Sequence, residues 1–237
     1  MTGASSGIGR HLATALVEAG AKVVGVARRA ERLEEWRQAT GDGAAAVAAD
    51  LSDPAQMEDV ARRVSEPFGA PDILITAAGM NNRERAGEVT LDGWSATINL
   101  NLAAPYFLAQ ALVPAMQAKG WGRIVNIASL QTVRAMPGGV SYGASKAAIG
   151  QLTRAEAEAW SKDGITANAI APGFFETELT GPVFANLELA QKNAAQTCIG
   201  RNGVLDDLVG PALFFCSAAS AYVTGQVLFV DGGFTAK

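Results

Sequence analysis

The sequence predicts an α/β protein whose 237 residues form a single domain, 1–237, around a doubly wound parallel sheet with helices on both faces. Short, nearly continuous apolar segments alternate with segments of helical periodicity along the whole chain. A glycine-rich turn at residues 3–9 stands directly before the first helical segment. Buried parallel strands joined by helices produce this pattern, and the length suits one domain of this kind.

The predicted elements follow one another in a regular alternation. The helical periodicity of 8–18 stops before Gly20, a natural helix end, and an apolar strand follows at 22–27. The other predicted helices cover 31–38, 55–64, 91–118, 142–162 and 207–216. The other predicted strands cover 44–49, 72–76, 123–127, 165–171 and 227–230. The stretch 173–203 has the least regular pattern, and we expect a mobile lid there.

Composition and charge exclude several classes of function. Charged residues make up 18% of the chain, the net charge is −4 and the charges are scattered, so the basic patch of a nucleic-acid-binding protein is absent. No uninterrupted apolar run reaches the roughly 18 residues of a membrane span and no secretory signal is present, which predicts a cytoplasmic protein without a membrane partner. Cys198 and Cys216 lack metal-ligand spacing and His11 is the only histidine, so we expect neither a metal site nor a histidine-dependent hydrolase.

The glycine-rich turn has the spacing of a phosphate-binding loop. Gly3, Gly7 and Gly9 can provide, in that order, a tight turn, a close approach for a pyrophosphate and close packing of the following helix. Free backbone N–H groups and the helix dipole favour an anion at this end of a helix. Because glycine-rich turns are common, an ordinary structural turn explains the motif about equally well when it is taken alone.

A tyrosine and a lysine one helical turn apart are candidates for acid and base chemistry. Tyr142 and Lys146 lie on one face of a predicted helix, Ser129 ends the preceding strand, and Asn101 lies in the long helical segment before that strand. A phenol with its ordinary pKa near 10 is a weak base at neutral pH. A lysine cation together with an oxidised nicotinamide can lower that pKa by about three units. A core tyrosine or a solvated lysine explains each residue singly, but the set favours catalysis.

These motifs together resemble the classical short-chain dehydrogenase/reductase family, from Thr2 to the C-terminus. The segments in register are Thr2-Gly-Ala-Ser-Ser-Gly-Ile-Gly9, Asp50-Leu51, Ala78-Gly79, Asn101, Ser129, Tyr142-Gly-Ala-Ser-Lys146 and Asn168-Ala-Ile-Ala-Pro-Gly173 with Thr177. The resemblance implies a Rossmann-type fold and an NAD(P)-dependent oxidoreductase that interconverts a secondary alcohol and a ketone by hydride transfer.

The resemblance implies a catalytic role for four residues. Ser129 would hydrogen-bond the substrate oxygen, and Tyr142 would exchange a proton with it. Lys146 would lower the pKa of the tyrosine and hold the nicotinamide ribose. Asn101 would anchor a water of the proton relay.

The resemblance also implies which residues bind the cofactor. Asp50 would contact the adenine, and Thr177 with Ile170 would contact the nicotinamide carboxamide. The implied cofactor-binding set is Gly3, Ser5, Ser6, Gly7, Ile8, Gly9, Arg28, Asp50, Leu51, Ala78, Gly79, Tyr142, Lys146, Pro172, Gly173 and Thr177.

One motif departs from the family. The Asn-Asn-Ala-Gly that usually follows the fourth strand is here Thr76-Ala-Ala-Gly79. The side-chain amides that tie neighbouring strands together in the family are absent, so we expect this local support to be lost.

The end of the second strand of the family's fold bears on the choice of cofactor. An acidic residue there would bind the ribose diol of NAD(H) and repel a 2′-phosphate. Ala27 stands at that place, followed by Arg28 and Arg29, whose guanidinium groups can pair with the phosphate. NADP(H) is therefore favoured over NAD(H), although an arginine can also stack on adenine when no phosphate is present.

The substrate class is predicted from resemblance to part of the family. Segments 79–86, 98–102, 200–225 and 229–237 are similar to sugar-acid dehydrogenases of the gluconate 5-dehydrogenase and 2-deoxygluconate 3-dehydrogenase kind. Arg83 follows the fourth strand of that fold near the expected mouth of the site, and it is a candidate clamp for a substrate carboxylate. A solvent-facing arginine on a loop is an equally good explanation of this residue.

Two other functions share the same core motifs. A 3-oxoacyl-carrier-protein reductase is the enzymatic alternative, and activity on β-ketoacyl thioesters would identify it. A dinucleotide-binding scaffold or regulator without catalysis is the alternative from another class. An intact set of Ser129, Tyr142 and Lys146 argues against the scaffold, because binding alone requires no such set.

Two further expectations concern the start of the chain and its assembly. Family members carry an apolar strand of about five residues before the glycine-rich turn, whereas here only Met1 precedes Thr2. We therefore expect a truncated first strand and poor stability, since each unpaired buried backbone group costs about 1 to 3 kcal/mol. The resemblance also implies a homo-oligomer, a tetramer or dimer that pairs the helices at 91–118 and 142–162.

Overall fold

A computed structural model describes residues 1–237 and confirms the alternation of helices and strands. The six strands are β1 (Val23–Ala27), β2 (Ala44–Ala48), β3 (Ile73–Thr76), β4 (Gly122–Ile127), β5 (Ile165–Pro172) and β6 (Val227–Val230). The helices are α1 (Gly7–Glu18), α2 (Ala30–Thr40), α3 (Met57–Val64), α4 (Leu91–Ile98), α5 (Ala104–Lys119), α6 (Val140–Trp160), α7 (Gly181–Phe184), α8 (Leu187–Gln196) and α9 (Val209–Cys216).

The strands form a parallel sheet in two parts, β1 with β2 and then β3-β4-β5-β6. Met1 and Thr2 lie between the two parts. The Thr2 N–H donates to the Ile75 carbonyl oxygen at 2.9 Å, and the Val26 N–H donates to the Met1 carbonyl oxygen at 2.9 Å. Thr2 therefore bridges β1 and β3, and the glycine-rich turn begins at the carboxyl ends of both strands.

Helices cover both faces of the sheet, as the sequence predicts. One core cluster packs α1, α2 and α9 against the strands, and Trp36 at its centre is 1% exposed. The other packs α3 and α5 against the opposite face, with Met116 completely buried. This burial of apolar side chains on two faces stabilises a sheet whose strands are themselves apolar.

The long helical segment predicted at 91–118 consists of α4, a π-helical turn at Asn99–Ala103, and α5. Its 29 residues have the length and apolar composition of a membrane span, but half of its most apolar window is buried inside the protein. Core helices of soluble proteins can have the same length and apolar composition. The segment is therefore weak evidence for a membrane-spanning helix.

The prediction of an irregular stretch at 173–203 is wrong in its secondary structure, because α7 and α8 lie within it. The side chain of Asn186 accepts a hydrogen bond from the Leu189 N–H and caps the start of α8. We call residues 174–196 the entrance segment, since they cover one side of the cleft described below.

Candidate active site

A single large cleft of about 1050 Å³ lies at the carboxyl ends of the parallel strands. Its walls come from the residues that directly follow five strands, at 27–29, 49–51, 77–83, 127–131 and 172–175, and from the glycine-rich turn and the entrance segment. Ligands of open α/β sheets bind at this edge, where helix N-termini and strand ends meet. Every residue that the sequence analysis assigned to the cofactor, to catalysis or to the substrate lines this cleft, except Asn101 and Ile170.

The glycine-rich turn requires glycine for two different physical reasons. Gly3 and Gly7 have positive φ angles of 71° and 52°, which disfavour other residues. A Cβ on Gly9 would lie 2.4 Å from the Gly3 carbonyl oxygen, so any larger residue there would separate α1 from the turn. A Cβ on Gly7 would lie 3.3 Å from the Cβ of Thr177, which places the turn against the start of the entrance segment.

The first turn of α1 is available for an anion. Ser6 is the N-cap residue, and its side chain makes no capping hydrogen bond. Gly7, Ile8 and Gly9 line the cleft, and their backbone N–H groups precede the first intrahelical bond. The donor set therefore fits a phosphate group, because it combines free N–H groups with the positive end of the helix dipole.

Asp50 and Leu51 line the side of the cleft reached from β2. The Asp50 carboxylate accepts a hydrogen bond from the Ser52 N–H at 2.9 Å, and this bond lowers the pKa of Asp50, with a smaller contribution from the charge of Arg28. Leu51 is 4% exposed and presents an apolar surface. Both features suit the edge and face of a nucleobase.

Tyr142 and Lys146 lie on the first turns of α6, one turn apart. The Lys146 ammonium is buried and lies 5.8 Å from the centroid of the Tyr142 ring. Its Nζ donates to the Ile127 carbonyl oxygen at 2.6 Å, so the end of β4 orients it. Burial lowers the pKa of Lys146 to about 8, which leaves the group cationic at neutral pH but able to take part in proton transfer near that value.

On balance, the surroundings of Tyr142 in the protein by itself raise its pKa. Burial raises the pKa of Tyr142 above its usual value, and this outweighs the lowering by a hydrogen bond from Ser129 and by the charge of Arg83. The phenol is therefore protonated at neutral pH. A further positive charge is needed before it becomes a base, consistent with the premise that lysine acts together with an oxidised nicotinamide.

Ser129 is held at the end of β4 by a short turn. Its Oγ accepts a hydrogen bond from the Gln131 N–H at 3.2 Å, and the Thr132 hydroxyl donates to the Lys146 carbonyl oxygen at 3.0 Å. These contacts fix the loop that carries Ser129 to the helix that carries Tyr142. The three candidate catalytic residues Ser129, Tyr142 and Lys146 thus come from adjoining segments that are hydrogen-bonded to each other.

Asn101 lies behind the cleft in the π-helical turn and is 1% exposed. Its side chain accepts from the Met80 N–H and donates to the Met80 carbonyl oxygen, both at 2.9 Å. The same amide donates to the Ser145 hydroxyl at 3.0 Å. Asn101 therefore ties the loop after β3 to the helix of Tyr142, and π-helical turns are frequent at functional sites.

The expected loss of support after β3 is wrong, because other side chains replace the missing amides. The Thr76 hydroxyl donates to the Asn126 side-chain oxygen at 2.7 Å, and the Thr2 hydroxyl accepts from the Ala78 N–H at 3.1 Å. Asn126 in turn donates to Thr153 and to the buried Glu156 of α6. The neighbouring strands are therefore joined by a buried polar network.

Pro172, Gly173 and Thr177 form the wall beyond β5. A Cβ on Gly173 would lie 2.8 Å from the Cα of Asp231, so glycine is required where these two loops meet. The Thr177 and Thr180 hydroxyls lie 3.0 Å apart. Ile170 is completely buried in β5 and does not reach the cleft with its side chain.

Arg83 lies at the mouth of the cleft with a positive φ of 56°, the only such non-glycine residue. Its guanidinium donates to the Leu179 carbonyl oxygen at 2.8 Å, which connects the loop after β3 to the entrance segment. Its charge acts on Tyr142, whose pKa it lowers. The structure thus places a cation close to the candidate acid, as the carboxylate-clamp hypothesis requires.

Two further cations of the cleft, Arg134 and Lys192, do not belong to the residues predicted from the sequence. Arg134 follows the Ser129 turn and lies over the Phe234 ring at 6.0 Å from its centroid, and Lys192 projects from α8. Neither belongs to a local motif, and they are separated by almost sixty residues of sequence. Both line the cleft only because the folded chain brings their segments to its wall.

The whole chain is similar to known proteins. The family model described as Enoyl-(Acyl carrier protein) reductase matches residues 3–235. The gluconate 5-dehydrogenase of Gluconobacter oxydans is 39% identical over 238 residues, which cover 99% of this chain and 93% of that protein. A 3-oxoacyl-[acyl-carrier-protein] reductase of Vibrio cholerae is 33% identical over 233 residues, covering 98% and 95% of the two chains.

A solved structure has closely similar architecture. The gluconate 5-dehydrogenase of Burkholderia cenocepacia, determined in complex with NADP and tartrate, is 38% identical to this chain. The match has a TM-score of 0.93 and covers 100% of this chain and 94% of that one. Its similarity extends over the full sheet and both layers of helices.

Proposed function

The chain belongs to the short-chain dehydrogenase/reductase family and is an oxidoreductase, and we propose that its substrate is a sugar acid of the gluconate and 5-ketogluconate kind. In this reaction a secondary alcohol and a ketone are interconverted. A nicotinamide dinucleotide supplies or accepts the hydride.

One observation carries the choice of an anionic substrate. The cleft is lined by six cations, which include Arg83, Arg134 and Lys192, and by only two acids, Asp50 and Glu178. The two acids of the cleft, Asp50 and Glu178, lie on the side of the glycine-rich turn and β1. Such an excess of positive charge attracts a carboxylate and favours it over a neutral polyol.

Neutral polar groups beside these cations suit the hydroxyls of a sugar chain. Asn81, Gln131 and Asn193 also line the cleft. The relative from Burkholderia cenocepacia was solved with tartrate, a hydroxy acid with two carboxylates, which is consistent with the same chemistry.

We propose that Tyr142 donates its proton to the ketone oxygen during reduction and accepts the alcohol proton during oxidation. The raised pKa of Tyr142 keeps the phenol protonated at neutral pH, which suits the acid role. Ser129 would position the substrate oxygen, and the Lys146 ammonium would stabilise the phenolate that forms when the proton leaves. Asn101 would hold the loop after β3 and the proton path behind Lys146.

For the cofactor we propose a preference for NADP(H). Arg29 and Ser6 lie at the end of β1 next to the glycine-rich turn, and the Arg29 Nη2 donates to the Ser6 hydroxyl at 2.7 Å. A guanidinium with neighbouring hydroxyls suits a phosphate better than it suits a ribose diol. Arg28, the residue assigned from the sequence, is exposed and near Asp50, so Arg29 is the better candidate for the phosphate contact.

The test is a panel of substrates with wild type, Arg83→Gln and Arg85→Gln. We expect Arg83→Gln to raise KM for gluconate about tenfold or more, because a charged hydrogen bond to the carboxylate is lost. KM for a neutral alditol would stay within about twofold. Arg85 lies on the same exposed loop outside the cleft, so Arg85→Gln should change neither value.

Two results would contradict the proposal. An unchanged KM for gluconate in Arg83→Gln would remove the carboxylate clamp. Efficient reduction of β-ketoacyl thioesters with no activity on aldonates would favour a 3-oxoacyl-carrier-protein reductase, the activity of the Vibrio cholerae relative.

We also propose a cytoplasmic homo-oligomer. The exposed aromatic residues Trp94 and Phe107, 37% and 43% exposed, lie on the long helical run that ends in α5. Large apolar side chains at the surface of helices are typical of contacts between subunits. The molar mass in solution, measured by light scattering, would distinguish a dimer or tetramer from a monomer.

A further inference from the structure

Arg29, at the cofactor side of the cleft, is paired with a carboxylate of the entrance segment. Its guanidinium contacts both oxygens of Glu178, at 2.9 and 3.2 Å, across 149 residues of sequence. This pair and the Arg83 contact to Leu179 are held by adjacent residues of the same segment.

The same guanidinium is bound to the glycine-rich turn. The Arg29 Nε and Nη2 donate to the Ser5 hydroxyl at 3.3 and 3.1 Å, and Nη2 also donates to the Ser6 hydroxyl. Arg29 thus joins the end of β1, the glycine-rich turn and the entrance segment. The turn therefore orients the guanidinium of Arg29. The anion bound to this guanidinium is the Glu178 carboxylate.

A 2′-phosphate of the cofactor would need the same Arg29 donors that the Glu178 carboxylate occupies. In this architecture the residue at the end of the second strand of the family's fold, here β1, contacts the adenosine ribose at its 2′ position. Ala27 supplies no carboxylate there, and Arg29 is the donor beside the turn. The Glu178 carboxylate and a 2′-phosphate are both anions and cannot both accept from this one guanidinium without strong repulsion.

We propose that Glu178 is a specificity-determining residue whose carboxylate competes with the 2′-phosphate of NADP(H) for Arg29. Binding of NADP(H) displaces the carboxylate, whereas NAD(H) leaves the pair intact. Glu178 therefore reduces the ratio of NADP(H) affinity to NAD(H) affinity that Arg29 alone would give. The inference rests on the dinucleotide site of the proposed function and is independent of the sugar-acid substrate.

Competition changes the entrance segment as well as the affinity. Glu178 lies directly after Thr177, which contacts the glycine-rich turn, and directly before Leu179, which accepts from Arg83. Loss of the Glu178 contact releases this segment on the cofactor side only. The two forms of the cofactor thus leave the cleft entrance in different states.

The expected effect is modest, because both side chains are about half exposed, 46% for Arg29 and 59% for Glu178. Exposed ion pairs are weak and screened by salt, so their removal corresponds to a change of about two- to fivefold in an equilibrium constant. A phosphate with nearly two negative charges overcomes such a pair.

The test uses adenosine 2′,5′-bisphosphate and adenosine 5′-monophosphate as probes, with Kd measured by calorimetry on the full chain. We expect Glu178→Gln to bind the bisphosphate about threefold more tightly, and to bind the monophosphate as wild type does. Glu176→Gln is the matched control, because Glu176 is exposed on the same segment and makes no ion pair. It should leave both Kd values within about 1.5-fold of wild type.

A second background separates competition from other effects. In Arg29→Gln the bisphosphate should bind about tenfold more weakly, and adding Glu178→Gln should change its Kd no further. Hydrogen exchange of residues 176–186 should rise with the bisphosphate and not with the monophosphate.

Three outcomes would overturn the inference. If Glu178→Gln weakens both probes equally, the carboxylate retains the nucleotide instead of competing with its phosphate. If Glu178→Gln has no effect while Arg29→Gln does, competition is wrong and the phosphate contact stands. If neither probe binds to any variant, the dinucleotide site itself is wrong.

Discussion

The catalytic centre and the rim of the cleft are built in opposite ways. Around Tyr142 the groups are buried and joined by hydrogen bonds, as in the chain from Ile127 to Lys146 and from Asn101 to Ser145. At the rim, Arg29 and Glu178 are about half exposed and come from loops far apart in the sequence. The difference indicates that hydrogen bonds hold the catalytic groups in fixed positions. Ligand selection depends instead on exposed charged side chains at the rim.

Burial also shifts the pKa values of the groups in the catalytic centre. In the centre it shifts the pKa of Lys146 to about 8 and raises the pKa of Tyr142, because a charge is poorly solvated there. At the rim the charges remain solvated, so their interactions are weak and depend on salt. A substitution in the centre should therefore lower kcat, and one at the rim should change ligand binding and leave kcat unchanged.

The largest effect is expected for Tyr142→Phe. Removal of the phenol hydroxyl eliminates the proton donor without altering the ring that lies near Lys146. We expect kcat to fall about 10²- to 10⁴-fold, measured as turnover of gluconate or 5-ketogluconate by cofactor absorbance. Nucleotide affinity should stay near that of wild type.

Retention of turnover in Tyr142→Phe would contradict the proposed difference in function between the catalytic centre and the rim. It would also exclude Tyr142 as the acid and base. If wild type itself bound the nucleotide but turned over no alcohol or ketone, a scaffold or regulatory role would be favoured instead.

The second largest effect is expected for a substitution of Glu156 on α6. Glu156 is 1% exposed, and its carboxylate accepts a hydrogen bond from the side-chain amide of Asn126 in β4 at 2.8 Å. Burial raises the pKa of Glu156 from 4.5 to about 7. Between these values the folded state binds the proton more tightly than the unfolded state. The contribution to stability is therefore fully present below pH 4.5 and is lost as the pH rises to about 7, with a magnitude of roughly 3 kcal/mol.

We expect Glu156→Gln to remove this loss. Urea unfolding at pH 5 and pH 8 should show a free energy of unfolding that falls less with pH in the variant than in wild type, by roughly 2 to 3 kcal/mol. Glu158→Gln is the control, since Glu158 is exposed on the same helix. Parallel pH curves for wild type and Glu156→Gln would show that Glu156 is solvated.

The smallest effect is expected for Lys192→Ala at the rim. Lys192 is exposed on α8, and its charge acts through solvent. KM for gluconate should rise about two- to fourfold, with kcat unchanged, and the difference should vanish at about 1 M salt. A fall in kcat comparable to that of Tyr142→Phe would mean that the rim takes part in the chemistry.

Much of the fold and of the site follows from local sequence. The alternation of apolar and helical periods predicts all six strands, with the helices on both sides, because burial on two faces requires apolar residues in every strand. The glycine-rich turn and the Tyr142 to Lys146 spacing identify the two ends of the cleft, since each motif is a local arrangement of a few residues. The helices of the entrance segment were missed because polar residues interrupt their short periodicity.

Other properties were decided by the tertiary structure alone. The replacement of the family's amides by Thr76 and Asn126 depends on the register of β3 against β4, in which these two residues lie side by side. The pairing of Arg29 with Glu178 depends on where a distant segment returns to the turn. The raised pKa of Tyr142 depends on the burial that its side chain acquires when the chain packs. Sequence periodicity reports which residues are buried and which elements they form, but distances between loops and the solvation of a charge arise only after the chain has packed.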